Sequence, residues 1–170
     1  MNFRLATIQD LSQIKHIYRQ IVRKMNEDKL QIWDDIYPCE FFEDDIKNKQ
    51  LYLMLEDTVI VSAFVLCNSN SGQNAVEWND TSGKALYLDR LGVNVNYLRK
   101  GVGGSMLAKA KEIAKSLGVE YLRLFVVDIN IPAIRLYSQN GFTRVNGLYK
   151  EVIDKEYILY EYGYEIELKK

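Results

Sequence analysis

Three glycines, Gly101, Gly103 and Gly104, stand between two runs of opposite character. Before them, Leu86, Leu88, Leu91, Val93 and Val95 suit a strand and fit no helical period. After them, Leu107, Ala110, Ile113, Ala114 and Leu117 recur at spacings of three and four, with Lys109, Lys111, Glu112 and Lys115 between, and Gly118 stops the helix. A strand, a glycine turn and a helix start together form an anion site. The first helical N–H groups have no intrahelical partner, the dipole adds positive potential, and glycine lets a phosphate approach the backbone. Such glycines also serve as plain tight turns, so the loop alone leaves both readings open. Two common phosphate loops do not fit. The P-loop requires Gly-Lys-Ser/Thr where this chain has Gly104-Ser105-Met106, and the dinucleotide fingerprint requires a third glycine where Met106 stands.

Other reactive side chains are scattered. His16, the only histidine, lies off the apolar stripe of its helix and reads as a solvated residue rather than a base. Cys39 and Cys67 are isolated, with no metal-ligand spacing, and suit a reducing compartment. Trp33 and Tyr37, among Gln31, Asp34 and Asp35, fit either a substrate wall or a plug for the core. The 170 residues suit one domain, 1–170, of ordinary globular composition, 48% hydrophobic and 26% charged. A net charge of −1 argues against a nucleic-acid footprint or a polybasic membrane surface. No signal-peptide core or membrane-length apolar run is present, so the expectation is a cytoplasmic protein, a monomer or homodimer.

The elements that must position the glycine loop follow in order. Asn2 to Ala6 is a short strand, and Thr7 to Asp10 has capping-box character. Leu11, Ile14, Ile17, Tyr18, Ile21, Val22 and Met25 form one helical stripe. Pro38 starts a second helix with Phe41, Phe42 and Ile46 inward, and Glu43, Asp44 and Asp45 on a solvated face. Leu51 to Leu55 and Val59 to Leu66 form a hairpin, and 68–83 is a loop in which Glu77 and Trp78 stand out. Beyond the glycine unit come a buried strand, Tyr121 to Val127, and a short helix, Ile131 to Gln139. Phe142 to Tyr149 and Tyr157 to Leu168 close the chain as strands. Two helical crossovers predict an α/β fold containing a parallel pair in a mixed sheet.

A second motif is more specific: Asn130-Ile-Pro-Ala133-Ile-Arg-Leu-Tyr137-Ser-Gln-Asn-Gly141-Phe142. It resembles the Asn-x-x-Ala-x-x-x-Tyr-x-x-x-Gly-Phe signature of the GNAT acyltransferases at every position. The glycine loop resembles that family's Gln/Arg-x-x-Gly-x-Gly/Ala loop through Gly101 and Gly103. Leu98 replaces the usual Gln or Arg, and Arg99 and Lys100 follow it. The two motifs span Leu86 to Phe142, about a third of the chain.

The resemblance implies a mixed, mostly antiparallel central sheet with one splayed parallel strand pair, flanked by helices. It implies an acetyl-CoA-dependent N-acetyltransferase acting on a primary amine, on a small molecule or a protein, by direct attack in a ternary complex. Leu98 to Ser105, that is Leu98, Arg99, Lys100, Gly101, Val102, Gly103, Gly104 and Ser105, then surround the CoA pyrophosphate. Leu91, Gly92 and Val93 pair with the pantetheine arm by strand addition, Asn130 and Ala133 meet it as well, and an N–H near Leu91 holds the thioester oxygen. Tyr137 becomes the acid that protonates the departing thiolate, for which a phenol of pKa about 10 suffices. The base is open: Asp89, on the same strand face as Tyr87, is one candidate, a surface ion pair is its other reading, and water is a third possibility. Trp33, Tyr37, Glu77 and Tyr149 offer a cation-friendly acceptor lining. With no Gln or Arg at Leu98, phosphate attraction falls to Arg99, Lys100 and the helix lysines Lys109 or Lys111. A non-catalytic acyl-CoA sensor is the alternative from another class.

Overall fold

The computed structural model describes residues 1–169, which fall into two compact units. One comprises Met1–Leu66 and Arg90–Met106, the other Cys67–Asp89 and the described residues from Leu107 onward. In chain order the elements are β1 (Asn2–Leu5), α1 (Leu11–Glu27), α2 (Phe42–Lys47), β2 (Leu51–Glu56), β3 (Val59–Cys67), β4 (Val76–Glu77) and β5 (Ala85–Val93). They continue as α3 (Val102–Ser116), β6 (Tyr121–Val127), α4 (Ile131–Gln139), β7 (Thr143–Arg144), β8 (Asn146–Gly147), β9 (Tyr149–Val152) and β10 (Ile158–Glu167).

In the first unit, β1, β2 and β3 form an antiparallel meander, with Asn2 opposite Leu55 and Leu51 opposite Val65. The α1 stripe buries Ile14, Ile17, Tyr18, Ile21 and Val22, each of which removes enough apolar surface to contribute about 1.5–3 kcal/mol. Asp10 closes the start of this helix by accepting from the Thr7 N–H at 2.7 Å, and it also pairs with Arg4 at 2.8 Å. Gln13 fastens α1 to the hairpin, accepting from Ile60 N–H at 2.7 Å. His16 is exposed, as its place off the stripe predicts.

Two expectations fail around α2. The helix begins only at Phe42, after a 3₁₀ turn over Cys39–Phe41 that follows Pro38, and Phe41 is exposed rather than inward. Asp45 is not solvated: it is buried in a pair with Arg90, and this partner lies far along the chain, where no local pattern could announce it.

The second unit contains the parallel pair, β5 with β6, running from Ala85 opposite Tyr121 to Leu88 opposite Leu124. β10 lies antiparallel to β6 and takes β7 and β9 at its sides. The architecture is therefore α/β, with a parallel pair in a mostly antiparallel sheet and flanking helices. Inside it, Arg123 Nε donates to Glu165 at 3.0 Å, with both side chains buried. Leu107, Ala110 and Ala114 are fully buried along α3, whereas Leu117 lies past the helix end and is exposed.

The 142–149 stretch is three short strands rather than one. Gly147 sits at φ +105°, where a Cβ would lie 2.8 Å from Ala75 O, so the chain turns and pairs β8 with β4. That pairing also places a strand within the segment expected to be loop. Among the described residues, no helix is long and apolar enough to cross a membrane.

Candidate active site

The glycine loop is built by the end of β5. Asn94 is buried, its side chain donating to Ile60 O at 2.9 Å and accepting from Asn96 N–H at 3.0 Å. It starts a 3₁₀ turn, Val95–Tyr97, after which Leu98 is extended and exposed. Arg99 and Gly101 then take left-handed φ values of +61° and +76°. A Cβ on Gly101 would meet nothing within 4 Å, so the backbone there is open to a ligand. The Ser105 N–H, donating to Gly101 O at 3.2 Å, makes the first helical hydrogen bond. The N–H groups of Val102, Gly103 and Gly104 precede it and lie at the positive end of the α3 dipole. Val102 and Met106 are buried and seat this turn.

Charge near the loop comes from Arg99 and Lys100, both exposed, the latter with its ammonium 5.2 Å from the Tyr97 ring. The helix lysines are committed elsewhere. Lys109 pairs with Glu112 at 3.2 Å, and Lys111 donates to Asn140 O while lying over the Phe142 ring. Burial lowers the pKa of Lys111.

Upstream of the loop, β5 carries a non-glycine residue in a left-handed conformation, Arg90 at φ +53°. Its guanidinium forks onto Asp45, Nε to Oδ2 at 2.9 Å and Nη2 to Oδ1 at 2.7 Å. The Tyr37 and Phe41 rings flank it at 5.7 and 5.6 Å. The Tyr18 hydroxyl donates to Arg90 O at 2.6 Å, and Ser62 Oγ donates to Gly92 O at 2.6 Å. Gly92 is required here because a Cβ would stand 2.7 Å from the Tyr18 ring. Trp33 stacks on Tyr18 at 5.6 Å and is half-buried, so Trp33 and Tyr37 belong to one aromatic group around Tyr18 and Arg90.

In the other unit, the residues of the second motif have visible local roles. Asn130 Oδ1 accepts from Ala133 N–H at 3.3 Å and caps α4, whose first turn contains Pro132. Gly141, at φ +90°, turns the chain out of the helix, and Phe142 is buried with its ring 6.0 Å from that of Tyr137. Tyr137 is half-buried. Burial, and then the charge of Asp89, raise its phenol pKa well above the ordinary value, so the hydroxyl stays protonated.

Asp89 also acts on Glu161, a residue the sequence did not single out. Burial first, then a hydrogen bond to Glu151, then the charges of Glu151 and Asp89 push the Glu161 carboxyl up to about 9. Glu161 lies opposite Tyr149 in the β9–β10 ladder, and the Tyr149 ring meets Phe125 edge-on at 5.9 Å. Burial and the nearby charges of Glu151 and Glu161 raise the Tyr149 phenol. Asp89, Tyr137, Tyr149, Glu151 and Glu161 are thus electrostatically linked. Glu77 is exposed on β4, paired with Asn146, while its neighbour Trp78 is core and donates to Gln73 O at 2.9 Å. Among the described residues, no group of three or more His, Cys, Asp or Glu could hold a metal ion.

This geometry agrees with comparisons to known proteins. Residues 15–142 match the model of the Acetyltransferase (GNAT) family. The chain is 27% identical over 144 residues to YwnH of Bacillus subtilis (strain 168), which carries a provisional phosphinothricin acetyltransferase name. The match covers 84% of this chain and 83% of YwnH. In fold it is similar to a GNAT-family acetyltransferase from Streptococcus agalactiae 2603, with TM-score 0.76 and 16% identity, covering 99% of this chain and 95% of that one. It is also similar to yncA of Salmonella typhimurium, provisionally an acetyltransferase and solved with its cofactor acetyl-CoA. There the TM-score is 0.68 and the identity 18%, covering 99% of this chain and 94% of the other. The chain belongs to the GNAT acetyltransferase family.

Proposed function

We propose that residues 1–170 work as one acetyl-CoA-dependent N-acetyltransferase domain that acetylates a primary amine by direct attack in a ternary complex. The observation that carries this reading is the place of Tyr137 inside a complete family motif, on a helix capped by Asn130 and closed by Gly141 and Phe142. A module that only senses acyl-CoA has no use for a proton donor at this place in the motif.

The fit of the cofactor rests on the glycine loop. Gly101 combines a left-handed backbone with open space, and three first-turn N–H groups follow it. Val102, Gly103, Gly104 and Ser105 would hold the pyrophosphate, with Arg99 and Lys100 adding attraction where Leu98 supplies none. Leu91, Gly92 and Val93 would pair with the pantetheine amides, and Asn130 and Ala133 would meet the same arm. When bound, acetyl-CoA supplies the acetyl group as a thioester.

The chain's own groups then divide the work. Glu161, with Asp89 beside it, takes a proton from the acceptor ammonium, because a carboxyl with raised pKa is matched to an amine. The Leu91 N–H would meet the oxygen where negative charge develops. Tyr137 would supply the proton that the departing thiolate needs. Trp33, Tyr37, Glu77 and Tyr149 remain the proposed acceptor lining, with Tyr149 best supported because Glu161 lies opposite it.

The test is thiol release from acetyl-CoA with a panel of amines: phosphinothricin first, because a relative's name suggests it, then polyamines, amino acids and peptide amino termini. Acetylation of any of them above the no-acceptor rate supports the enzyme. Tight CoA binding with no transfer across the panel would favour the sensor.

A further inference from the structure

We propose that the Tyr18 hydroxyl and the Asp45–Arg90 ion pair form a positioning device that aims the Leu91 N–H. This rests on the reading of that N–H as the donor to the acyl oxygen. Arg90 C=O and Leu91 N–H belong to one planar trans peptide, so they point in opposite directions. Whatever holds the carbonyl therefore sets the amide. The Tyr18 hydroxyl holds it at 2.6 Å, and the same hydroxyl lies 3.1 Å from Ala63 O on β3. The Leu91 N–H is thereby directed away from β3. The next such peptide repeats the arrangement, since Ser62 Oγ donates to Gly92 O at 2.6 Å and leaves the Val93 N–H facing the same way as that of Leu91.

This orientation depends on a conformation that arginine does not favour. Left-handed φ at a non-glycine residue persists only where the surroundings over-determine it. Here the side chain is fixed as firmly as the carbonyl. The two-pronged bond to Asp45 is buried, with side-chain exposures of 9% for Arg90 and 7% for Asp45. Tyr37 and Phe41 flank the guanidinium, and Arg90 Nη1 donates to the Tyr37 hydroxyl at 3.3 Å. A buried ion pair adds little net stability over well-packed apolar residues. Fixing a geometry is what this one accomplishes: α2 and the segment before it grip the residue whose peptide carries the proposed donor. Asp45 and Tyr18 are positioning residues, since neither is placed against the substrate.

The experiment reads the hydrogen bond itself. Acetyl-CoA labelled with ¹³C at the acetyl carbonyl is bound to the protein, and its carbonyl stretch is followed by isotope-edited infrared spectroscopy. The unmodified protein should lower that frequency relative to free acetyl-CoA. Tyr18→Phe and Arg90→Ala should each lose about half of the shift or more, while calorimetry shows CoA affinity unchanged within about threefold. Arg90→Gly should retain more of the shift than Arg90→Ala, because glycine adopts the left-handed backbone without strain. A merely structural ion pair would lower the melting temperature of Arg90→Ala but leave the shift of the folded, loaded variant unchanged, and that outcome overturns the proposal. So does a glycine variant that loses more of the shift than the alanine one. If Arg90→Ala does not fold, Tyr18→Phe, which deletes one oxygen, decides alone. If the unmodified protein binds acetyl-CoA with no shift, the Leu91 reading falls and the positioning role falls with it.

Discussion

The Glu161 carboxyl is hydrogen-bonded to that of Glu151, so this end of the β9–β10 ladder holds a proton at a pH where a solvated glutamate has lost it. The pair has consequences for both catalysis and stability.

For stability, the Glu161 pKa is raised from 4.5 to about 9 on folding. The folded chain then binds a proton that the unfolded chain releases, and the favourable contribution is complete below pH 4.5. It is lost progressively as pH rises towards 9. Glu161→Gln should therefore melt above the unmodified protein at pH 9, with the gap closing towards pH 5. The difference at pH 9 should be about ten degrees or more, at about 2–4 °C per kcal/mol for a chain of this length. Melting curves at the two pH values check it. A gap that widens towards pH 5 has the wrong sign.

For catalysis, a proton acceptor in this state predicts kcat/KM rising with pH up to the region of pH 9. Glu161→Gln should remove that limb and lower kcat by about 10²-fold or more. Asp89→Asn removes one of the charges that raise Glu161, so the limb should move to lower pH. A pH–rate profile that Glu161→Gln leaves intact would return the role of base to Asp89 or to water.

The glycine loop predicts a separable effect on binding. Gly103 lies in the first turn of α3, half-buried among the N–H groups proposed for the pyrophosphate. Gly103→Glu puts an anion in the phosphate's place, and calorimetry should show CoA affinity falling at least tenfold, about 1.4 kcal/mol, with melting little changed. The paired substitution Arg99→Ala and Lys100→Ala should weaken CoA binding at low salt and matter less at high salt, where screening has already removed the attraction. Lys111→Ala should leave CoA binding unaltered, because its ammonium is engaged with Asn140 O.

How much of this could be read from the chain depends on how far apart the partners lie. Asn130, Gly141 and Phe142 were legible because each acts locally, in capping, turning or anchoring one short helix. The strand, glycine turn and helix around Gly101 were legible for the same reason. Asp45 was not. It sits in an acidic run that looks solvated, and its partner Arg90 is 45 positions away. Nothing about an isolated aspartate distinguishes an exposed charge from half of a buried pair. Glu161 and Glu151 were missed because their meeting depends on the β9–β10 register, which is set by the turn joining the two strands, where the Ile153 N–H donates to Tyr157 O at 3.0 Å. A run with β-forming residues such as Phe142, Thr143, Val145 and Tyr149 reads as one strand until tertiary contacts divide it.

The state of Tyr137 makes the most direct prediction. Burial and the charge of Asp89 raise its phenol, so it carries a proton at any working pH and is available as an acid but not as a base or nucleophile. Removing only the oxygen, Tyr137→Phe, should slow the chemical step by about 10²- to 10⁴-fold, the usual contribution of general acid catalysis. CoA affinity should change little, since the ring that meets Phe142 edge-on is retained. The loss should also depend on the leaving group. An acyl donor whose thiol has a lower pKa needs less help from an acid, so the gap between tyrosine and phenylalanine should narrow with such a donor. Single-turnover rates with acetyl-CoA, together with calorimetry on CoA, separate the effects. Normal turnover by Tyr137→Phe would mean that water protonates the sulfur and that the tyrosine only packs. Loss of both CoA binding and the folded state would mean that the phenol's structural contacts, rather than its proton, are what the motif preserves.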